Sequence, residues 1–112
     1  MISKDLVAAS AKPLILSILA AGESYGYDII QQVNTLSEGE IKWKDGMLYP
    51  VLHRLQNQGL IEAEWRIMEN GKKRKYYRLK DEGKKALETE KEHWMLVHST
   101  FLKIWEVKPC LT

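Results

Sequence analysis

Residues 60–80, LIEAEWRIMENGKKRKYYRLK, depart from the helical period of the rest of the chain. Ile61, Ala63, Trp65 and Ile67 alternate with Glu62, Glu64 and Arg66, which is the pattern of a strand with one apolar face. Asn70-Gly71 marks a turn, so the stretch reads as a hairpin. A two-residue loop would set Trp65 against Tyr76 and Glu62 against Leu79, mixing polar and apolar on each face. A three-residue loop, Glu69-Asn70-Gly71, puts Gly71 in the left-handed position of a bulged turn. It pairs Ile61 with Leu79 and Ala63 with Tyr77 on one face, and Glu62 with Arg78 and Glu64 with Tyr76 on the other. A slip of one residue flips every side chain, so this is the predicted register.

Helical patterns flank the hairpin. PLILSILAAG is apolar nearly all round, as a helix buried on most sides would be, and Gly22 ends it. Pro13 suits a first helical turn or a kink, which predicts a first helix in two pieces. In the second helix Ser24 is the expected N-cap, Ile29, Ile30, Val33 and Leu36 recur at helical spacing, and Gly39 is the stop. Gly26 inside it costs about 1 kcal/mol relative to Ala, which points to a close approach by another backbone. The third helix, KDGMLYPVLHRLQNQG, is predicted to be capped by Asp45 and ended by Gly59. Leu48, Leu52 and Leu55 share one face of it, with Val51 beside them. Pro50, His53 and Asn57 lie opposite, flanked by Tyr49 and Arg54. A long last helix carries Leu87, Trp94, Val97, Phe101 and Ile104 on a heptad-like seam, with His98 and Trp105 at its edge and Pro109 closing it. That is more apolar surface than one three-helix core needs.

Three helices, a hairpin and a long helix are the order of a winged helix-turn-helix with an added C-terminal helix. The fold is therefore predicted to be mainly α with one small β-hairpin. Residues 1–80 would be the DNA-binding unit and residues 81–112 the dimerisation helix of one compact body. In that layout the third helix enters the major groove and the hairpin is a wing along phosphates. Net charge over 112 residues is only +2, so local arrangement must carry the argument. Lys72, Lys73, Arg74, Lys75, Arg78 and Lys80 crowd one hairpin, and a polyanion is the partner that relieves their repulsion. The single cysteine, Cys110, excludes an internal disulfide and fits a reducing cytosol. The apolar run from Pro13 to Ala21 is far shorter than a membrane span and follows no signal-peptide layout, so a cytoplasmic protein without membrane contact is expected.

SYGYDIIQQV, GMLYPVLHRLQNQGLIEAEW and GKKRKYYRLKDEG together resemble the signature stretches of the PadR-family transcriptional regulators, over residues 12–85. The chain length is similar to that of the short subfamily with a single C-terminal helix. The resemblance implies a homodimeric winged-helix repressor of cytoplasmic genes, often relieved by small aromatic compounds. It marks Tyr25 and Tyr27, then Gly46, Tyr49, Pro50 and His53, then Lys73 to Tyr77 as candidate positions. Lys80 stands where the family pattern usually has Thr. Lysine cannot cap a helix, so Asp81 is expected to take the role one residue later.

Each site has a plainer alternative. The wing charges could be a solvated face; same-sign clustering beside a reading-type helix favours nucleic acid. Lys72, Lys73 and Arg74 are the foremost phosphate contacts, with Lys75 and Tyr76 beside them, whereas Arg78 is expected to pair with Glu62. Tyr49, Pro50, His53 and Arg54 are candidates for groove contact, and Lys42 and Lys44 for gripping backbone. No residue here dictates a base, so the operator is legible only as an inverted repeat with reading helices about 34 Å apart.

The last helix supplies the expected dimer interface: Leu87, Trp94, Val97, Phe101, Ile104 and Trp105. Dimer packing is the first reading of Trp94. In similar multidrug-binding regulators a Trp at this position stacks a flat ligand, which makes Trp94, Val97, His98 and Phe101 candidates for a planar aromatic effector. Glu90 and His93 have a metal-like spacing, but one such pair reads as a solvated face. No G-x-S-x-G, P-loop, H-E-x-x-H or cysteine pair is present. No enzyme, metal or cofactor is predicted. The competing readings are a winged-helix protein-interaction module and, more weakly, a small-molecule or metal enzyme on the same dimer.

Overall fold

A computed structural model describes residues 2–106. The chain runs α1 (Lys4–Ala21), β1 (Ser24–Tyr25), α2 (Gly26–Leu36), α3 (Asp45–Asn57), β2 (Ile61–Ile67), β3 (Lys73–Leu79) and α4 (Asp81–Trp105). The strands form one antiparallel sheet in the order β1-β3-β2. Pro109 and Cys110 lie outside the described residues.

The first helix is a single piece rather than two. It starts at Ser3, whose hydroxyl accepts from the Leu6 N–H at 3.2 Å, and runs through Pro13 without a break. Proline removes the bond to the Ala9 carbonyl, and Ala9 is exposed, so water can take that place. The same logic holds in α3, where Pro50 frees the carbonyl of the exposed Gly46.

Three predicted caps are corrected. Ser24 does not cap α2. It pairs with Tyr77 in β1, and its hydroxyl donates to the Asp28 carboxylate. Tyr25 holds the cap position without a side-chain bond. A two-residue strand has no periodicity to read; it forms because β3 offers it an edge. Asp45 and Asp81 are the first helical residues of α3 and α4, one place past the caps Lys44 and Lys80. There they complement the positive helix ends without capping them.

The C-terminus of α3 is a Schellman motif, with Leu60 N–H on Leu55 O, Gly59 N–H on Gln56 O, and Gly59 at φ +75°. The hairpin has the predicted register, Ile61 with Leu79 through Ile67 with Lys73. Its loop closes with Gly71 N–H on Met68 O at 2.9 Å, and Gly71 is left-handed at φ +81°.

The core joins all four helices to the sheet. Ile15, Leu16, Ile29, Leu48, Leu52, Leu55 and Ile61 are each at most 1% exposed, and each such side chain contributes about 1.5–3 kcal/mol by burial. Leu87 belongs to this core at 4% exposure; it packs within its own chain and offers no surface to a second copy. Gly83 explains how α4 docks. A Cβ there would run into the Leu60 carbonyl and stand 2.6 Å from Leu79 Cδ1. That carbonyl accepts the Lys80 N–H at 3.0 Å, which ties the start of α4 to the end of α3. Among the described residues no helix is long and apolar enough to cross a membrane.

Candidate nucleic-acid interface

Apolar residues of α3 face the core, which leaves Tyr49, Pro50, His53 and Arg54 exposed on its outer side. Tyr49 leans on the start of α2. A Cβ on the buried Gly26 would collide with the Tyr49 hydroxyl and lie 2.8 Å from its Cζ. The close approach predicted for Gly26 is thus to a side chain, not to a backbone. This contact places two candidate residues, Tyr25 and Tyr49, on one surface.

The wing completes that surface. A groove of about 560 Å³ is lined by Tyr25, Gly26 and Tyr27 from the start of α2, Tyr49 from α3, and Trp65, Lys73, Arg74, Lys75 and Tyr77 from the hairpin. The other candidates lie elsewhere. Gly46, Pro50 and Arg54 border a separate depression between α3 and α1. His53 is exposed and lines neither depression, and Lys72 is exposed near the wing tip. Lys42 and Lys44 are exposed on either side of Trp43, which is buried in the core. Tyr76 is not among the groove's lining residues; it meets Tyr25, which is, edge to face with centroids 5.4 Å apart.

The crowded cations divide into two sets. Arg78 is held by Glu62 at 2.6 Å and Glu64 at 3.3 Å, as its cross-strand position predicts. Arg66 is held by Glu23 at 2.7 Å and Glu64 at 3.1 Å. Hydrogen bonds from Arg66 keep the Glu23 and Glu64 carboxyls below the usual carboxylate range, and the same bonds raise Arg66. Lys72, Lys73, Arg74 and Lys75 have no carboxylate within ion-pair distance among the described residues. The Arg74 guanidinium lies 4.0 Å over the Tyr25 ring, and the Lys75 ammonium 5.7 Å from Trp65. Burial pushes the Tyr77 phenol up, and Tyr49 adds to the shift. Unpaired cations among aromatic rings form a surface suited to phosphates and to the sugars and base edges beside them.

Sequence reasoning missed Trp65, Glu23 and Arg66. Trp65 is 64% exposed and walls the groove. Its signal was available, because the apolar alternation of β2 runs on past the core. Glu23 gave no local signal.

On α4, Trp94 is half-buried in a cleft of about 300 Å³ against α1, with Pro13, Leu14, Leu87 and Met95. Val97, His98 and Phe101 follow on the same helix face and are exposed, and Phe101 stacks on Trp105 at 5.0 Å. No group of three or more metal-ligating side chains occurs among the described residues.

Known proteins match most of this chain. The model of the Transcriptional regulator PadR-like family matches residues 15–89. The transcriptional regulator Rv3488 of Mycobacterium tuberculosis is 33% identical over 84 residues, 75% of each chain. A transcriptional regulator from Clostridium thermocellum is 31% identical with a TM-score of 0.83, over 96% of this chain and 100% of that one. A PadR-like transcriptional regulator from Bacillus cereus is 30% identical with a TM-score of 0.81, over 94% of this chain and 100% of that one. The matched span takes in the helix-turn-helix, the wing and the first turns of α4, and the chain belongs to the PadR-like family of transcriptional regulators, a family of DNA-binding regulators rather than enzymes.

Proposed function

We propose that this chain acts in the cytoplasm as a homodimeric, sequence-specific repressor that is released from DNA by a small planar aromatic effector. The part up to residue 80 would be the reading unit, and α4, within residues 81–112, the dimerisation element. The observation that carries the dimer is the far half of α4. Met95, Leu96, Val97, Phe101, Ile104 and Trp105 are between 46% and 68% exposed there. A soluble monomer rarely leaves so large an apolar patch in water, and a second α4 covers it with matching chemistry.

Two copies joined along α4 present two α3 helices and two wings to one side of a duplex. The operator is then an inverted repeat with half-sites about one helical turn apart. Trp94, Val97, His98 and Phe101 sit at i, i+3, i+4 and i+7 near the join, so a flat ligand stacked there acts on the angle between the two reading heads. Derepression requires that the ligand favour the non-binding angle. The test is sedimentation of the purified chain with and without a duplex from upstream of its own gene, followed by titration with planar aromatics. A monomer at micromolar concentration, or a dimer that ignores duplex DNA at low salt, overturns the proposal.

The protein-interaction reading keeps the fold but needs no basic face. Lys72, Lys73, Arg74 and Lys75, which have no carboxylate partner among the described residues, favour DNA over it.

A further inference from the structure

Arg66 and Arg74 are direct cross-strand partners on the wing. Two cations so placed repel, and the fold separates them with rings. Arg66 lies 4.3 Å over the Tyr76 ring, and both of its terminal nitrogens donate to the Glu23 carboxylate, at 2.7 and 2.8 Å. Tyr76 meets Tyr25 edge to face, and Arg74 lies over the other ring of that pair. Acid, cation, ring, ring and cation thus form one continuous chain of contacts. Glu23 lies between α1 and β1, 43 residues from Arg66, so the helical body grips the hairpin through it. Tyr25 directly precedes Gly26, against which Tyr49 of α3 packs. The chain of contacts therefore runs from the wing to the reading helix.

We propose that Glu23 is a positioning residue for DNA binding: through Arg66, Tyr76 and Tyr25 it holds Arg74 ready for phosphate and sets the angle between wing and α3. The inference rests on the DNA-binding reading above. Simple electrostatics gives the opposite sign, because an acid near phosphate-facing cations repels DNA and its removal should tighten binding. Positioning outweighs that exposed charge. Glu23 is screened by the guanidinium it binds, whereas an Arg74 freed from its stack must be ordered again each time it meets a phosphate. Ordering one long side chain corresponds to about two- to tenfold in affinity.

The experiment measures binding of the full chain to a mixed-sequence duplex long enough for two half-sites, by fluorescence anisotropy across a salt series. Glu23→Gln removes the brace and a negative charge. Glu62→Gln removes the same charge from β2 beside Arg78, which Glu23 also approaches at 3.8 Å, but leaves the Arg66 grip intact. Arg66→Lys keeps the charge and loses the two-pronged grip. Glu23→Gln and Arg66→Lys are each expected to weaken binding about two- to tenfold, with the salt slope and melting temperature near those of the wild type. Glu62→Gln should bind as tightly as wild type or tighter. Binding by Glu23→Gln at or above the wild-type level, or wild-type affinity in Arg66→Lys, overturns the inference. A wild-type chain that binds no duplex even at low salt overturns instead the DNA-binding reading, and the inference with it.

Discussion

The two cation sets on the wing make a quantitative prediction about salt. Each phosphate neutralised by the protein releases counterions, and the slope of log affinity against log salt is about −0.9 for each such contact. Lys73 and Arg74 line the groove without a carboxylate partner among the described residues, while Arg78 is engaged by Glu62 and Glu64. The Lys73→Ala/Arg74→Ala variant should therefore flatten the slope by about 1.8 per subunit, or about 3.6 for a symmetric dimer. Between about 50 and about 200 mM salt the wild type should then lose about a hundredfold more affinity than the variant. Arg78→Ala removes as formal a positive charge but should change the slope by less than about 0.5 per subunit, since its charge is already compensated. Gel shift or anisotropy at four or five salt concentrations measures all three. Equal slopes for wild type and double variant, or a loss in Arg78→Ala as large as one full contact, would refute the division of the wing into free and engaged cations.

Three further outcomes follow from packing and charge. Gly83→Ala forces a methyl onto the Leu60 carbonyl and Leu79; it should cost about 1–3 kcal/mol despite the better helix propensity of alanine, and thermal melting at or above the wild-type temperature would contradict the contact. Phe101→Asp places a charge in the exposed face of α4; sedimentation should show the dimer constant weakened about a thousandfold or more, and an undiminished dimer would move the interface elsewhere. The Glu23 carboxyl is depressed by Arg66, so the brace is complete above the usual carboxylate range and is lost only as pH falls through the lower folded value. A carboxyl-carbon NMR titration of Glu23 should have its midpoint below 4.5, and a midpoint at or above that value would remove the brace.

Local patterns carried much of the fold. The period of two in residues 61–67, the bulged turn at Gly71 and the Glu62–Arg78 pair are all consequences of neighbours along the chain or directly across a short loop, and each is found where predicted. The leucines of α3 announced its core face in the same way. Local rules failed at helix starts. Ser24 and Asp81 are good caps in isolation, but sheet pairing at Ser24 and the docking of α4 on Leu60 set where α2 and α4 begin.

The order of elements, the hairpin register and the presence of a cationic wing follow from adjacent residues, because periodicity, turn chemistry and charge are local properties. Long-range packing alone settles which cations are held by carboxylates, why Gly26 and Gly83 must be small, and that Leu87 belongs to the core. Those facts depend on Glu23 meeting Arg66, Tyr49 meeting Gly26, and Leu60 meeting Gly83. Contacts between distant parts of the chain exist only once the whole core has closed, and no local pattern records them.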